Sequence, residues 1–229
     1  MIVAKYRKSE LVSNYTILTI LALTCILPIM LLFFNSIKPQ EEFGINPLGL
    51  PMTIRLANFV DAWVIGEYAQ IFLNSTKLVI GTLILNLTVS GLAGFSLAKL
   101  YPRGSNAFLV YLLVGVSIPA QMFILPLFLM WKEFGLMNTH LGLIIIYAGL
   151  NAPFATFLIR SYMIQLPDEL FDAAKIDGAN TLQLFYRIAL PISWPVFLTT
   201  GLVVGLAVWN EFLFALTFVH DDTKKPIAT

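Results

Sequence analysis

Five stretches of this 229-residue sequence, residues 15–34, 75–100, 107–131, 141–162 and 192–219, stay apolar for about 20 residues or more. That is the length a helix needs to cross a hydrocarbon core of about 30 Å. No other feature constrains the chain as strongly, because a backbone in lipid must satisfy its own hydrogen bonds and does so in helices or closed barrels. The runs are continuous rather than alternating, which selects helices. The predicted fold class is therefore all-α integral membrane, a polytopic bundle of five transmembrane helices forming a single domain over residues 1–229. With 58% hydrophobic and 12% charged residues and a mean hydropathy of +0.82, the composition excludes a water-soluble domain. A net charge of +1 supplies no field to hold nucleic acid. The single cysteine, Cys25, lies in the first run and has no partner for a disulfide or a cysteine metal site. That run is longer than a signal-peptide core and has no Ala-x-Ala site after it, so it reads as an uncleaved span.

Between the first two runs, residues 38–72 carry Pro39, Pro47 and Pro51, then Phe59, Trp63, Tyr68 and Phe72 among polar residues. This pattern reads as an external loop with an interfacial helix. With the N-terminus inside, eight basic residues (Lys5, Arg7, Lys8, Lys99, Arg103, Arg160, Lys175 and Arg187) fall inside. Six (Lys38, Arg55, Lys77, Lys132, Lys224 and Lys225) fall outside. The positive-inside bias makes residues 161–191 cytoplasmic and leaves an exposed tail from Asp221 onward outside.

Polar positions within the spans admit two readings. Thr82, Asn86, Ser90, Gly94 and Ala98 recur every four residues, and Gly201 and Gly205 form a small-xxx-small pair; such ridges let helices approach closely in lipid. Pro119 and Pro126 bracket Gln121, and Asn151 precedes Pro153, so carbonyls should be freed there, which is tolerated only inside protein or beside water. Asn86, Gln121, Asn151, Asn210 and Glu211 are the candidates for a solute pathway or gate, with interhelical bonding the competing account. Glu211 is the only acid within a span. Counted from Ile192 at 1.5 Å per residue it lies about 28 Å along, beside Trp209 in an aromatic-belt position, which favours a structural or gating role over direct solute contact. His140 and His220 lie outside without companion ligands and read as solvated.

The segment 166–195, LPDELFDAAKIDGANTLQLFYRIALPISWP, is too structured for a connector. A first helix starts near Pro167 or Asp168 and ends at Asp177 and Gly178. Asn180 and Gln183 form a capping box for a second. Leu182, Phe185 and Ile188 make its apolar stripe, with Gln183 and Arg187 on another face, and Pro191 turns the chain into the next span. Ala173 and Ala174 would let another surface approach closely, with Phe171 and Ile176 as anchors; an elbow that packs only on its own bundle remains the alternative. Asp168, Asp172 and Asp177 could nearly share a face and hold a divalent metal, as an intramembrane enzyme would require. Asp168 is available as a cap, however, and no second acidic cluster lies nearby.

Asp172, Ala173, Ala174, then Asp177, Gly178, Ala179, then Phe185 and Pro191 resemble the EAA loop of ABC importer permeases, with aspartate in place of the usual first glutamate. The likeness runs from about Leu31 to the end and is closest to the carbohydrate (maltose-type) permeases, through Asn74 and Ser75, the Pro119 to Pro126 segment, and Trp209, Asn210, Glu211 and Phe212. The resemblance implies a non-enzymatic bacterial inner-membrane subunit that works with a second permease, an ATPase dimer on the cytoplasmic side and an extracytoplasmic solute-binding protein. It implies that residues 169–179 form the coupling helix, with Asp172, Ala173, Ala174, Asp177, Gly178 and Ala179 docking the ATPase. Solute, by resemblance a sugar, would cross by alternating access. No Gly-x-x-x-x-Gly-Lys-Ser/Thr loop occurs here, so no cofactor is assigned to this chain; ATP and magnesium belong to the partner ATPase. A non-sugar solute, or an ATP-independent secondary transporter, are the alternatives, the latter lacking an internal repeat. Members of the family resemble six-span chains, so a sixth helix is expected beyond the tail and the five-span sequence reads as truncated before it.

Overall fold

A computed structural model of the protein describes residues 8–229, with side chains from residue 11. Lys5 and Arg7, two of the charges counted inside, lie outside the described residues. Every regular element among the described residues is helical. Contacts divide the chain into two units, Met1–Tyr68 and Ala69–Thr229.

In the first unit, α1 (Lys8–Ser36) continues through Pro28 and exposes the whole of its apolar window from Leu11. After it come α2 (Gln40–Ile45) and α3 (Ala57–Ile65). The loop is organised by Lys38, which is only 2% exposed. Its ammonium donates to Asn35 Oδ1 (2.9 Å), Asn46 O (2.7 Å) and Gly49 O (2.8 Å). A buried ammonium needs such a set of acceptors, so Lys38, which in the sequence only counts among the outside charges, is the keystone of the loop. Glu42 closes the same loop by accepting from the N–H groups of Met52 and Thr53.

The second unit starts with α4 (Tyr68–Phe95), which runs into a π-helical turn over Ser96–Leu100. Then come α5 (Ser105–Ser117), a 3₁₀ turn (Ala120–Phe123), α6 (Ile124–Glu133) and α7 (His140–Met163). The elbow follows as α8 (Asp168–Ile176), α9 (Thr181–Leu184), a second π turn (Phe185–Ala189) and α10 (Leu190–Ile192). It leads to α11 (Trp194–Trp209), α12 (Leu213–Phe218) and a 3₁₀ turn at Asp222–Lys224.

Three of the expected runs lie on continuous helices, and the third and fifth fall on bent pairs. α1, α4 with its π turn, and α7 are long and apolar enough to cross a membrane. The third run is broken: α5 meets the helix from Ala120 to Glu133 at 96°, because Ile118, just before Pro119, takes an extended conformation that proline imposes on its predecessor. The fifth is also not one straight helix. Thr181–Ile192 and Trp194–Trp209 are bent by 78° at Ser193, and the chain leaves helical geometry again between Trp209 and Leu213. The break expected at Pro153 is absent, since α7 passes through it. Side chains of α4 serve the nearby carbonyls instead, Asn86 donating to Ala148 O (2.9 Å) and Ser90 to Ala152 O (3.3 Å).

The four-residue ridge makes this close approach. Thr82, Asn86, Ser90 and Ala98 are fully buried, and a Cβ added at Gly94 would stand 3.1 Å from Ile159 and 3.2 Å from the Arg160 nitrogen. Two apolar clusters fill the unit. One gathers Trp131, Leu143, Tyr147, Val204, Phe214 and Phe218; the other gathers Phe95, Met163, Phe171, Leu184, Phe185 and Phe197 beneath the elbow.

The tail is not the exposed terminus expected. Asn74 Nδ2 donates to Thr223 O (2.9 Å) and Lys225 O (3.1 Å), and Ile227 N donates to Ser75 Oγ (2.7 Å). His140 is likewise not simply solvated, its Nε2 standing 2.9 Å from Lys224 O; His220 is exposed. Polar side chains at the start of α4 and α7 thus satisfy the tail's backbone, a role that hydropathy does not reveal.

Candidate functional site

The elbow has one face held and one face free. α8 begins behind Pro167, whose fixed φ suits a helix entry, with Asp168 and Glu169 in the positive first turn. It ends in a Schellman arrangement: Ala179 N donates to Ala174 O (2.9 Å) and Gly178 N to Lys175 O (3.0 Å). Gly178 has φ +82°, the left-handed region where a side chain is strained, and nothing lies within 4 Å of where its Cβ would stand. The capping box is present, with Asn180 Oδ1 accepting from Gln183 N (2.9 Å) and Gln183 Oε1 from Asn180 N (2.8 Å).

On the held face, Phe171 is 3% exposed, its ring 6.1 Å from that of Phe95. The reading of Phe171 as an outward anchor is therefore corrected; it fastens α8 to its own bundle. Lys99, in the π turn that ends α4, completes the fastening. Its ammonium donates to Leu166 O and to Asp168 Oδ1, both at 2.6 Å, and lies 5.3 Å from the centre of the Phe171 ring. Its side chain is 4% exposed, that of Asp168 68%. Asp168 is thus an ion-pair partner and not a cap. Sequence reasoning missed Lys99, although a lone cation at the end of an apolar span was a signal that it must find acceptors.

On the free face stand Asp172, Ala173, Lys175, Ile176, Asp177 and Gly178, all exposed, with Ala174 and Ala179 half-buried. Ile176 is 87% exposed. Asp172 and Lys175 pair at 2.9 Å along the helix. Asp168 and Asp172 are therefore each engaged by a lysine, and among the described residues no three His, Cys, Asp or Glu groups are placed to hold a metal. The apolar stripe expected of the second helix is shifted: Leu184 and Phe185 are 3% exposed while Leu182 is 60% exposed. Leu182 lies in α9, ahead of the π turn, and faces outward, while Phe185 and Ile188 of the expected stripe remain buried and half-buried.

Of the candidate pathway residues, three are tied to one stretch of α7. Asn86, wholly buried, bonds Ala148 O, and Asn151 Nδ2 bonds Tyr147 O (2.8 Å). Glu211 accepts from the Tyr147 hydroxyl (2.9 Å) and from the N–H groups of Phe214 and Ala215 at the start of α12. Glu211 thus serves as the cap of α12 and its bond to α7. Tyr147, missed in the sequence, joins these groups; a phenol buried in a span needs a partner. Asn210 bonds only back to Leu206 O in its own helix, and Gln121 stands exposed in the 3₁₀ turn; neither joins the group around Tyr147.

The family model for the inner membrane component of binding-protein-dependent transport systems matches residues 90–223. YurM of Bacillus subtilis (strain 168), a probable ABC transporter permease protein, is 32% identical over 87% of this chain, which spans 66% of its length. A diacetylchitobiose uptake system permease, NgcG of Streptomyces coelicolor, is 30% identical over 92% of the chain and 70% of its own length. An arabinooligosaccharide transport system permease, AraQ of Halalkalibacterium halodurans, is 32% identical over 88% and 73%. The fold matches a chain in the crystal structure of a bacterial ABC transporter that imports the acidic polysaccharide alginate, with a TM-score of 0.84 over 97% of this chain and 79% of that one, at 24% identity. The elbow lies wholly within the residues that the family model matches. The chain belongs to the binding-protein-dependent transport system inner membrane component family.

Proposed function

We propose that this chain is a permease subunit of an ATP-driven importer, passing a carbohydrate delivered by an extracytoplasmic binding protein. It acts with a second permease and an ATPase dimer, forms one permease domain and keeps its N-terminus in the cytoplasm. The observation that carries this reading is the division of α8 into a face fastened by Lys99 and Phe171 and an open face of Ala173, Ile176 and Gly178. A surface fixed to the bundle on one side and free on the other can receive a push and pass it inward. The small side chains permit close docking, Ile176 supplies an apolar anchor, and α8 moves the transmembrane helices because Lys99 and Phe171 tie it to the end of α4. Alternating access then follows as rocking of packed helices. The sugar-uptake relatives support the solute class.

Co-purification with the ATPase subunit from membranes tests this, comparing the native chain with Gly178→Ala and Gly178→Arg. Both substitutions strain a left-handed residue by about 1–2 kcal/mol, and only arginine adds bulk to the open face. Loss of the ATPase with arginine but not alanine supports docking; equal retention by all three refutes it.

A further inference from the structure

One side of the helix α3 carries polar side chains bonded within its own loop, and the opposite side is apolar and exposed. Asn58 donates to Ser36 O (2.9 Å) and to Lys38 O (2.7 Å), and Asp61 accepts from Arg55 Nη2 (2.8 Å). At about 100° per residue these two side chains share one face. Phe59, Val60 and Trp63 fall on the opposite one, 52%, 64% and 55% exposed, followed by Val64 at 68%. The ring of Trp63 stacks on that of Tyr68 at 6.1 Å.

We propose that this face of α3 lies on the membrane, in the headgroup region at the mouth of α1. Depth is the argument. The apolar part of α1, Leu11–Ser36, has 26 residues; at 1.5 Å per residue it is about 39 Å long against a hydrocarbon core of about 30 Å. Its end at Ser36 therefore stands among headgroups, and the bond from Asn58 to the Ser36 carbonyl fixes the first turn of α3 at that level. The apolar window of α1 is exposed, so a bilayer that it crosses reaches α3 at the same level. Chemistry agrees: a tryptophan stacked on a tyrosine, beside Phe59, Val60 and Val64, has the amphipathic rings that settle at the membrane–water boundary. The buried Lys38 ammonium, with its three oxygen acceptors, supports the arrangement by folding residues 35–49 under Asn58. This role is independent of ATPase docking.

The test uses the full chain in the assembled transporter, in nanodiscs of phosphatidylethanolamine and phosphatidylglycerol, with Cys25 replaced by serine. Spin labels are placed singly through Val60→Cys, Ala62→Cys and Val64→Cys, substitutions small enough to leave the loop intact. Leu21→Cys on α1 serves as the lipid reference and Glu41→Cys as the water reference. Collision rates are read with oxygen and with a water-soluble nickel chelate. The oxygen-to-nickel ratio at positions 60 and 64 is expected to be severalfold above that at 41 and to approach that at 21. A ratio equal to that at 41 would place the face in water and overturn the proposal. Exclusion of both reagents would also overturn it, since a protein partner would then cover the helix. Transport by the labelled complexes reports separately on the proposed function.

Discussion

Replacing Lys99 by methionine tests how the elbow is fastened. The ammonium is almost wholly buried and makes a 2.6 Å bond to the Leu166 carbonyl; a net hydrogen bond to a charged donor stabilises by about 1.5–3 kcal/mol. The pair with Asp168 adds little, because that carboxylate is 68% exposed and such pairs contribute about 0–1 kcal/mol. The contact with the Phe171 ring is worth under about 1 kcal/mol, and a methionine thioether recovers part of it. The substitution should therefore weaken docking of α8 by about 2 kcal/mol, roughly a 30-fold shift toward the undocked elbow. A nine-residue helix does not hold itself in water, so undocking exposes its amides. Hydrogen exchange across residues 172–179 of the membrane-embedded protein should accelerate by about 30-fold in Lys99→Met. It should change by less than about fivefold in Asp168→Asn, and Lys99→Arg should restore most of the protection. Unchanged exchange in Lys99→Met, or an equal effect of Asp168→Asn, would refute the assignment of the fastening to the buried bond at Leu166.

Gly94→Ala should destabilise the bundle by about 1–3 kcal/mol, because the new methyl meets Ile159 and the backbone of Arg160. Gly149→Ala, with nothing within 4 Å, should be neutral or stabilise by up to about 1 kcal/mol, and thermal unfolding of the two detergent-solubilised variants separates them. Glu211→Ala removes the acceptor at the start of α12 and the partner of Tyr147. A loss of about 1–2 kcal/mol should appear as faster thiol labelling of a cysteine at Leu213. The Thr223 hydroxyl and, after it, the Lys224 ammonium hold the Asp221 carboxyl below its ordinary value. A lowered carboxyl stabilises above its unfolded value and loses that contribution as the pH falls. Exchange protection of the Thr223 amide should accordingly be flat above a pH of about 5 and decline as the pH falls below about 4, with the decline absent in Asp221→Asn.

Much of this arrangement was legible because lipid makes the code simple. Run length located the helices, the four-residue recurrence at Thr82, Asn86, Ser90, Gly94 and Ala98 marked the contact with α7, and Gly178, Asn180 and Gln183 marked the turn of the elbow. The misreadings share a cause, since each depended on a partner distant in sequence. Pro153 sits inside an unbroken α7, and the carbonyls near it that take a second bond, those of Ala148 and Ala152, take it from Asn86 and Ser90 of α4. Lys38 and Lys99 were counted as charges for topology, whereas each is a buried donor that organises a loop or the elbow. Phe171 could have faced either way on an isolated helix, and only Phe95 and Lys99 settle its direction. The π turns at Ser96–Leu100 and Phe185–Ala189 left no trace in a periodicity assumed to be 3.6.

Disulfide cross-linking in native membranes tests the central claim most directly, with Cys25 replaced by serine and single cysteines at Phe171, Ala173 and Ile176 paired with cysteines along the cleft of the ATPase subunit. Cross-links from Ala173→Cys and Ile176→Cys, and none from the buried Phe171→Cys, are the predicted result. Absence of cross-links at 173 and 176 in a complex that still transports would contradict the assignment of this face to the ATPase.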